Sequence, residues 1–358
     1  MKQTIFLFVI CLAFFSCQPK QQQYPSRTER WSIEQANDWL QKWGWLRGTN
    51  FIPSTAINQL EMWQEETFDP ETIDRELGWA AEIGMNCMRV YLHHIAWEID
   101  REGFKKRMGE YLDIADKHGI STIFVFFDDC WTPTYSAGKQ PEPEPGVHNS
   151  GWLRDPGDLI FDDPEIIYLL EEYAKDVMNH FRNDERIALW DLYNEPGNNN
   201  LGEKSFDLVR KSFKWGWEVN PSQPLTIGVW GRNRRLHNMT NYQLKYSDII
   251  SYHSYSGLES HTAKVDSLLK HGRPLVCTEY MARRNNSTFQ DIMPMLKERN
   301  IGAINWGLVA GKTNTIFAWS EPLPDMEEPP LWFHDIFRKD GTPYSQEEID
   351  VIKSLTGK

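Results

Sequence analysis

The sequence predicts an α/β protein built as a (β/α)8 barrel, a TIM barrel, and three observations carry that expectation. Eight short apolar runs of strand length recur between residues 45 and 308, each followed by helical or loop sequence, which is the order a parallel barrel requires. Two of those runs end in a glutamate. The first is Ile187-Ala188-Leu189-Trp190-Asp191-Leu192-Tyr193-Asn194-Glu195, stopped by Pro196-Gly197, and the second is Pro274-Leu275-Val276-Cys277-Thr278-Glu279. Proline cannot donate to a strand ladder and glycine permits a sharp exit, so Asn194 and Glu195 fall at the mouth of a strand. Third, Glu195 and Glu279 lie 84 residues apart (279 − 195), which fits three strand-helix units in a barrel that uses roughly 30 residues for each. The glutamates then close strands four and seven.

At the amino terminus Met1-Lys2-Gln3 precedes an apolar stretch over residues 4–15, too short to span a bilayer and suited to an export signal. Leu12-Ala13-Phe14-Phe15-Ser16-Cys17 closes it and resembles a loose bacterial lipoprotein box. That resemblance implies Cys17 as the lipidated first residue of the mature protein, with an ordinary secretory signal and an incidental cysteine as the alternative. Residues 1–17 are therefore expected to be a lipoprotein-type signal peptide and 18–30 a polar tether. Residues 31–358 are expected to form a single (β/α)8 domain. The expected location is that of an exported, membrane-anchored bacterial lipoprotein, periplasmic or cell-surface.

A hydrophobic content of 40% supports a sizeable core, and the net charge of −13 argues against nucleic acid as a partner. Cys11 and Cys17 belong to the export segment. The remaining Cys87, Cys130 and Cys277 are odd in number and lack metal-ligand spacing, so neither a disulfide framework nor a metal site is expected. Sixteen tryptophans are more telling, because sugars bind by stacking their C–H faces on aromatic rings, and those in loops are the ones that count.

Residues 32–42 carry helical spacing, capped by Ser32 with Glu34 and Gln35 in the first turn. Strand one covers residues 45–53, and the helix after it has Asp69 as cap and Pro70 at its first position. Strand two, residues 85–94, contains Arg89 in an otherwise apolar run. A buried guanidinium needs a partner, and its fork fits a carboxylate. Helix two covers residues 104–118. Strand three, residues 121–129, ends in Asp128 and Asp129, which suit either sugar hydroxyls or capping of the next turn. Residues 130–164 are rich in proline and glycine and contain Trp131, Tyr135, His148, Trp152 and Arg154. A loop this long in a compact domain is usually functional, so it is expected to wall a cleft, with Trp131 and Trp152 as stacking candidates. Helix three (164–181), strand four and helix four (204–219) follow. Strand five covers residues 225–230, and strand six, residues 248–255, carries His253 and Tyr255. Helix six (261–271) leads to strand seven, and helix seven (288–299) to strand eight (301–308), which carries Trp306 followed by Gly307. A last aromatic and acidic loop over 315–330 contains Trp319, and residues 332–337 pack the final helical region.

With Asn194-Glu195-Pro196 after an apolar strand and Glu279 three units later, the chain resembles clan A of the glycoside hydrolases, particularly families 5 (cellulase/mannanase-like) and 2. The resemblance spans most of the chain. It implies that Glu195 is the acid/base, that Asn194 binds the 2-hydroxyl, and that Glu279 is the nucleophile. It further implies that Arg89 lies near the nucleophile, that His253 and Tyr255 close strand six, and that Trp306 lies under the sugar beside the scissile bond. Physically, Tyr255 can donate to Glu279 and help hold it ionised. Two strand-end glutamates about 5–5.5 Å apart suffice for cleavage with retention. The expected function is a retaining endo- or exo-acting β-glycoside hydrolase on a plant or microbial polysaccharide or oligosaccharide. The expected partner is carbohydrate, and no cofactor is required. A surface glycan-binding lipoprotein and a transglycosylase are the alternatives; the former needs none of Glu195, Glu279, Asn194 and Arg89 together. Arg232, Arg234 and Arg235 after strand five, with Arg283 and Arg284 after strand seven, raise the expectation that acidic sugars are read. Pairing with acidic neighbours is the competing account.

Overall fold

The computed structural model describes residues 25–231 and 234–358. The predicted signal peptide with Cys17, most of the predicted tether, Arg232 and the Arg234 side chain lie outside what is described. Eight strands form the sheet: β1 (Arg47–Asn50), β2 (Cys87–Tyr91), β3 (Ser121–Asp128), β4 (Ile187–Asn194), β5 (Leu225–Thr226), β6 (Ile250–His253), β7 (Leu275–Glu279) and β8 (Gly302–Trp306). Their order is β5-β4-β3-β2-β1-β8-β7-β6, and every ladder is parallel. The ring closes beyond the short β5, where Val229 N donates to Ser251 O at 3.0 Å and His253 N to Val229 O at 3.2 Å. The fold is the expected (β/α)8 barrel. β1 can pass β2 so closely only because position 48 is glycine: a Cβ there would sit 1.6 Å from Cys87 O.

One end of the barrel is plugged. Ser32 and Gln35 form a reciprocal capping box at the start of the helix Ile33–Trp43, which satisfies two of the amide groups a helix start leaves open. That helix buries Ala36 and Trp39 against the lower strand residues Cys87, Ile123, Ala188 and Ile304. Trp39 Nε1 donates to Ala188 O at 2.7 Å. The end of the expected tether is docked here as well. Arg27 pairs with buried Asp248 at 2.7 Å, and Trp31 N donates to the same carboxylate at 2.7 Å. The opposite end, where the strands terminate, is left for the site.

Helices follow each strand: Pro70–Glu82, Arg101–Lys117, Ile166–His180, Phe206–Val219, His237–Tyr246, Leu258–Leu269, Phe289–Glu298 and Gln346–Thr356. Strand two is shorter than its apolar run, because His93 turns the chain into a further helix, His94–Ile99. The His237–Tyr246 helix was not expected. Its sequence is polar and buries only Met239 and Gln243, so it offers little apolar periodicity to find.

Candidate active site

Glu279 is the last residue of β7, and both of its oxygens are held. Oε1 accepts from Arg89 Nη1 at 2.9 Å and from the Tyr91 hydroxyl at 3.0 Å. Oε2 accepts from the Tyr255 hydroxyl at 2.8 Å and lies 3.3 Å from His253 Nδ1. Arg89 and Tyr91 are alternate residues of β2, so the strand period of two turns both into the barrel. The guanidinium is 0% exposed. Its remaining bonds run to the Tyr91 hydroxyl oxygen at 2.6 Å, Asp191 Oδ2 at 3.0 and 2.8 Å, Asn194 Oδ1 at 2.7 Å and Asn50 Oδ1 at 2.8 Å. Arg89 thus grips the nucleophile candidate from beneath and does not reach the cleft.

β4 ends at Asn194, and Glu195 takes a φ of 42°, an uncommon conformation for a residue other than glycine and one that recurs at functional sites. Its Oε1 lies 2.7 Å from His253 Nδ1, while Oε2 accepts from Asn198 Nδ2 at 2.6 Å and from the Cys130 thiol at 3.4 Å. One oxygen from each glutamate and a His253 nitrogen all lie within 4.8 Å of one another. Residues far apart in the chain are therefore brought together as the strand-end reading required.

Burial pushes the carboxyl of Glu195 above its ordinary range, against bonds from Cys130 and Asn198. Burial also raises Glu279. There Arg89 and the Tyr255 bond oppose the rise, while the charge of Glu195 adds to it. The direct guanidinium contact and two phenol donors make Glu279 the readier of the pair to ionise. Burial pushes His253 down to about 3, so its ring is neutral. Its Nε2 is buried with no hydrogen-bond partner among the described residues. A proton on Nδ1 is used and one on Nε2 is wasted, which favours the Nδ1–H tautomer.

The two aspartates of strand three carry internal hydrogen bonds, and Asp128 also lines the cleft around the glutamates. Asp128 is 1% exposed. Its Oδ1 accepts from Asn194 Nδ2 at 2.8 Å and Cys130 N at 2.9 Å, and its Oδ2 from Trp152 Nε1 at 2.8 Å. Burial raises its carboxyl to about 7. Asp129 accepts from Tyr193, Gly197 N and Ser205, fixing the turn after Glu195.

Around the glutamates lies a cleft of about 630 Å³, bordered by Trp131, Trp152, Trp230, Trp306 and Trp319, within the range of about 300–1,000 Å³ usual for small-molecule sites. Trp131 and Trp306 are both at its wall. Trp152 also lines it but is 3% exposed, edge-packed on Tyr91 and Trp306 at 5.0 and 5.5 Å. Asn50, Tyr91, Cys130, Asn198 and Trp230 had not been singled out. Tyr91 was recoverable as the inward neighbour of Arg89; for Cys130 the sequence holds no signal. A second dense cluster, His93, His94 and Asp155, is internally bonded: His94 Nδ1 meets Asp155 Oδ1 at 2.5 Å, and His93 Nε2 meets Arg154 O at 3.1 Å.

Arg283 departs from the acidic-sugar expectation. It is buried, pairs with Glu348 at 2.8 and 2.6 Å, and donates to the carbonyls of Trp332, His334 and Asp335. Arg284 pairs with Glu321. Breaking a buried pair costs about 3–5 kcal/mol, so Arg283→Ala is expected to lower the melting temperature by roughly 10 °C, at about 2–4 °C per kcal/mol. Thermal melting checks this. The ratio of activity on acidic and neutral glycans is expected to stay unchanged, and a selective loss on acidic ones would restore the substrate role.

A model of the family described as Cellulase (glycosyl hydrolase family 5) matches residues 52–311. Among solved structures, a GH5_18 protein from Streptomyces cattleya, in complex with Manβ1-4GlcNAc, is 11% identical with a TM-score of 0.58, covering 87% of this chain and 80% of that one. An endo-beta-1,4-mannanase from Thermotoga petrophila is 14% identical, TM-score 0.55, covering 89% of this chain and 77% of its own. An exo-beta-1,4-mannosidase from Opitutaceae bacterium strain TAV5 is 16% identical, TM-score 0.60, covering 87% and 59%. At these identities the structures share the fold. No curated protein matches the sequence.

Proposed function

The chain belongs to glycosyl hydrolase family 5 and is a retaining O-glycosyl hydrolase of clan A type, and from that premise we propose that Glu279 is its nucleophile and Glu195 its acid/base. The observation that carries this is the approach of the two carboxyls, with an oxygen of each within 4.8 Å of the other. Retention uses about 5–5.5 Å between carboxyl groups, whereas inversion leaves about 6.5–9.5 Å for a water. Glu279 attacks the anomeric carbon as the glycosidic bond breaks, and Glu195 gives its proton to the departing oxygen. Glu195 then takes a proton from water, whose oxygen attacks the same carbon and displaces Glu279.

The reaction needs Glu279 ionised and Glu195 protonated. Burial raises both groups, so the activity bell sits at higher pH than free carboxyls would set. Activity falls as pH drops through the Glu279 value and as it rises through that of Glu195. The Cys130 thiol donates to Glu195 Oε2 and so favours its charged form. Cys130→Ala is expected to move the alkaline limb of kcat/KM upward, by less than about one unit, because one unit is 1.36 kcal/mol and a thiol is a weak donor. A pH profile of the variant measures this, and a downward move would contradict the assignment.

The proposed substrate is a β-linked polysaccharide or oligosaccharide. Mannosyl glycans lead the panel to test, because structural neighbours are named for them. Products released by the wild type and absent with Glu279→Ala would support the reading. Binding without release by either protein would favour a glycan-binding role. The Cys17 signal supports a further proposal of export and lipid anchoring, with the barrel displayed at a membrane.

A further inference from the structure

Resting on the assignment of Glu279 and Glu195, we infer that the enzyme is exo-acting and removes a single β-linked sugar from the non-reducing end of its substrate. The direction of the chain in the cleft follows from the chemistry. The leaving oxygen is the one Glu195 protonates, so the leaving group lies on the Glu195 side and the sugar to be transferred lies over Glu279. Glu195 is surrounded by the loops after β4 and β5: it bonds Asn198, and Trp230 Nε1 donates to Pro196 O at 3.1 Å. That side of the cleft is bordered by Asn199, Ser256 and Ser260, all three exposed. Beyond Glu279 toward β2, β1 and β8 the geometry is different.

There the loop after β3 spans the barrel mouth and is fastened on both far banks. To the β1 loop, Asn58 Nδ2 donates to Gln140 Oε1 at 2.9 Å and Gly151 O at 3.0 Å, and Gln59 Nε2 donates to Leu153 O at 3.0 Å. To the β8 loop, Asn149 N donates to Thr313 O at 2.8 Å and Leu323 N to Gly146 O at 3.1 Å. His148 Nδ1 meets Phe317 O at 2.8 Å, and burial holds that ring neutral by pushing it down to about 4. Beneath the span Tyr91, Trp152 and Trp306 pack edge to face, with centroids 5.0–5.9 Å apart. Behind Asn149, Trp152 and Trp306 lies a separate void of about 20 Å³. That holds about one water and no sugar ring. A glycan continuing past the transferred sugar would have to displace a bonded loop, so the sugar over Glu279 must be terminal.

The test compares wild-type kcat/KM on 4-nitrophenyl β-monoglycosides and the matching β-biosides across mannosyl, glucosyl, galactosyl and xylosyl series. It also sizes early products from the corresponding oligosaccharides labelled at the reducing end. In whichever series is cleaved, the monoglycoside is expected to be hydrolysed at least as fast as the bioside. The first labelled product is expected to be one unit shorter than the substrate. A tenfold or greater preference for the bioside, or labelled fragments shortened by two or more units from the outset, would overturn the inference and leave the catalytic assignment standing. No turnover in any series would overturn both.

Discussion

Glu279→Ala is expected to lose at least about 10⁴-fold in kcat on any β-glycoside the wild type cleaves, the scale on which removal of one member of a coupled catalytic unit acts. The loss is chemical, because the variant keeps Arg89, Tyr91 and Tyr255 but presents no oxygen to the anomeric carbon. Added azide is expected to restore turnover of an activated aryl β-glycoside and to yield the α-glycosyl azide, since attack then comes once, from the emptied side. Rescue that gives the β-azide would instead place the missing group on the leaving-group side. The variant also leaves the buried Arg89 charge with one carboxylate fewer, so its melting temperature should be followed alongside.

Glu195→Ala is expected to cut hydrolysis of an oligosaccharide by roughly 10²–10⁴-fold, the usual contribution of general acid–base catalysis. A 2,4-dinitrophenyl glycoside departs without a proton, so the first step on that substrate should be nearly spared. Release of the sugar from Glu279 should then become the slow step, seen as a burst of dinitrophenol. The alkaline limb of the pH profile is expected to disappear, because the group that must stay protonated is gone. Equal losses on both substrates with that limb retained would point to a different acid.

The barrel and its two glutamates were legible because each rests on a local rule. Pro196-Gly197 stops an apolar run just after Glu195, and the spacing to Glu279 counts whole strand-helix units. Arg89 was legible because a guanidinium inside an apolar strand needs a counter-charge, and it meets Asp191 and Glu279 at 2.8 and 2.9 Å. What escaped depends on tertiary placement. Asp128 reads equally well as a ligand or an internal acceptor, and its bonds from Asn194, the Cys130 amide and Trp152 come from residues that no local spacing brings to it. Cys130 comes within 3.4 Å of Glu195 through a loop whose path no spacing encodes. The same holds for the fastening of residues 140–153 to the β1 and β8 loops. Its bonds run largely to main-chain atoms, which leave little mark on residue identity. Arg283 shows the reverse hazard: a cation at the mouth of a barrel strand suggested an anionic ligand, and the chain supplied one itself in Glu348.

The most direct test of the assignment is mass-spectrometric mapping of the enzyme after incubation with a 2-deoxy-2-fluoro-β-glycosyl fluoride of the sugar series it cleaves. The fluorine slows release of the sugar more than its capture, so a covalent intermediate accumulates. The predicted result is a single glycosyl adduct on the peptide containing Glu279, formed as activity is lost. An adduct on Glu195 or on another carboxylate, or loss of activity without any adduct, would contradict the account.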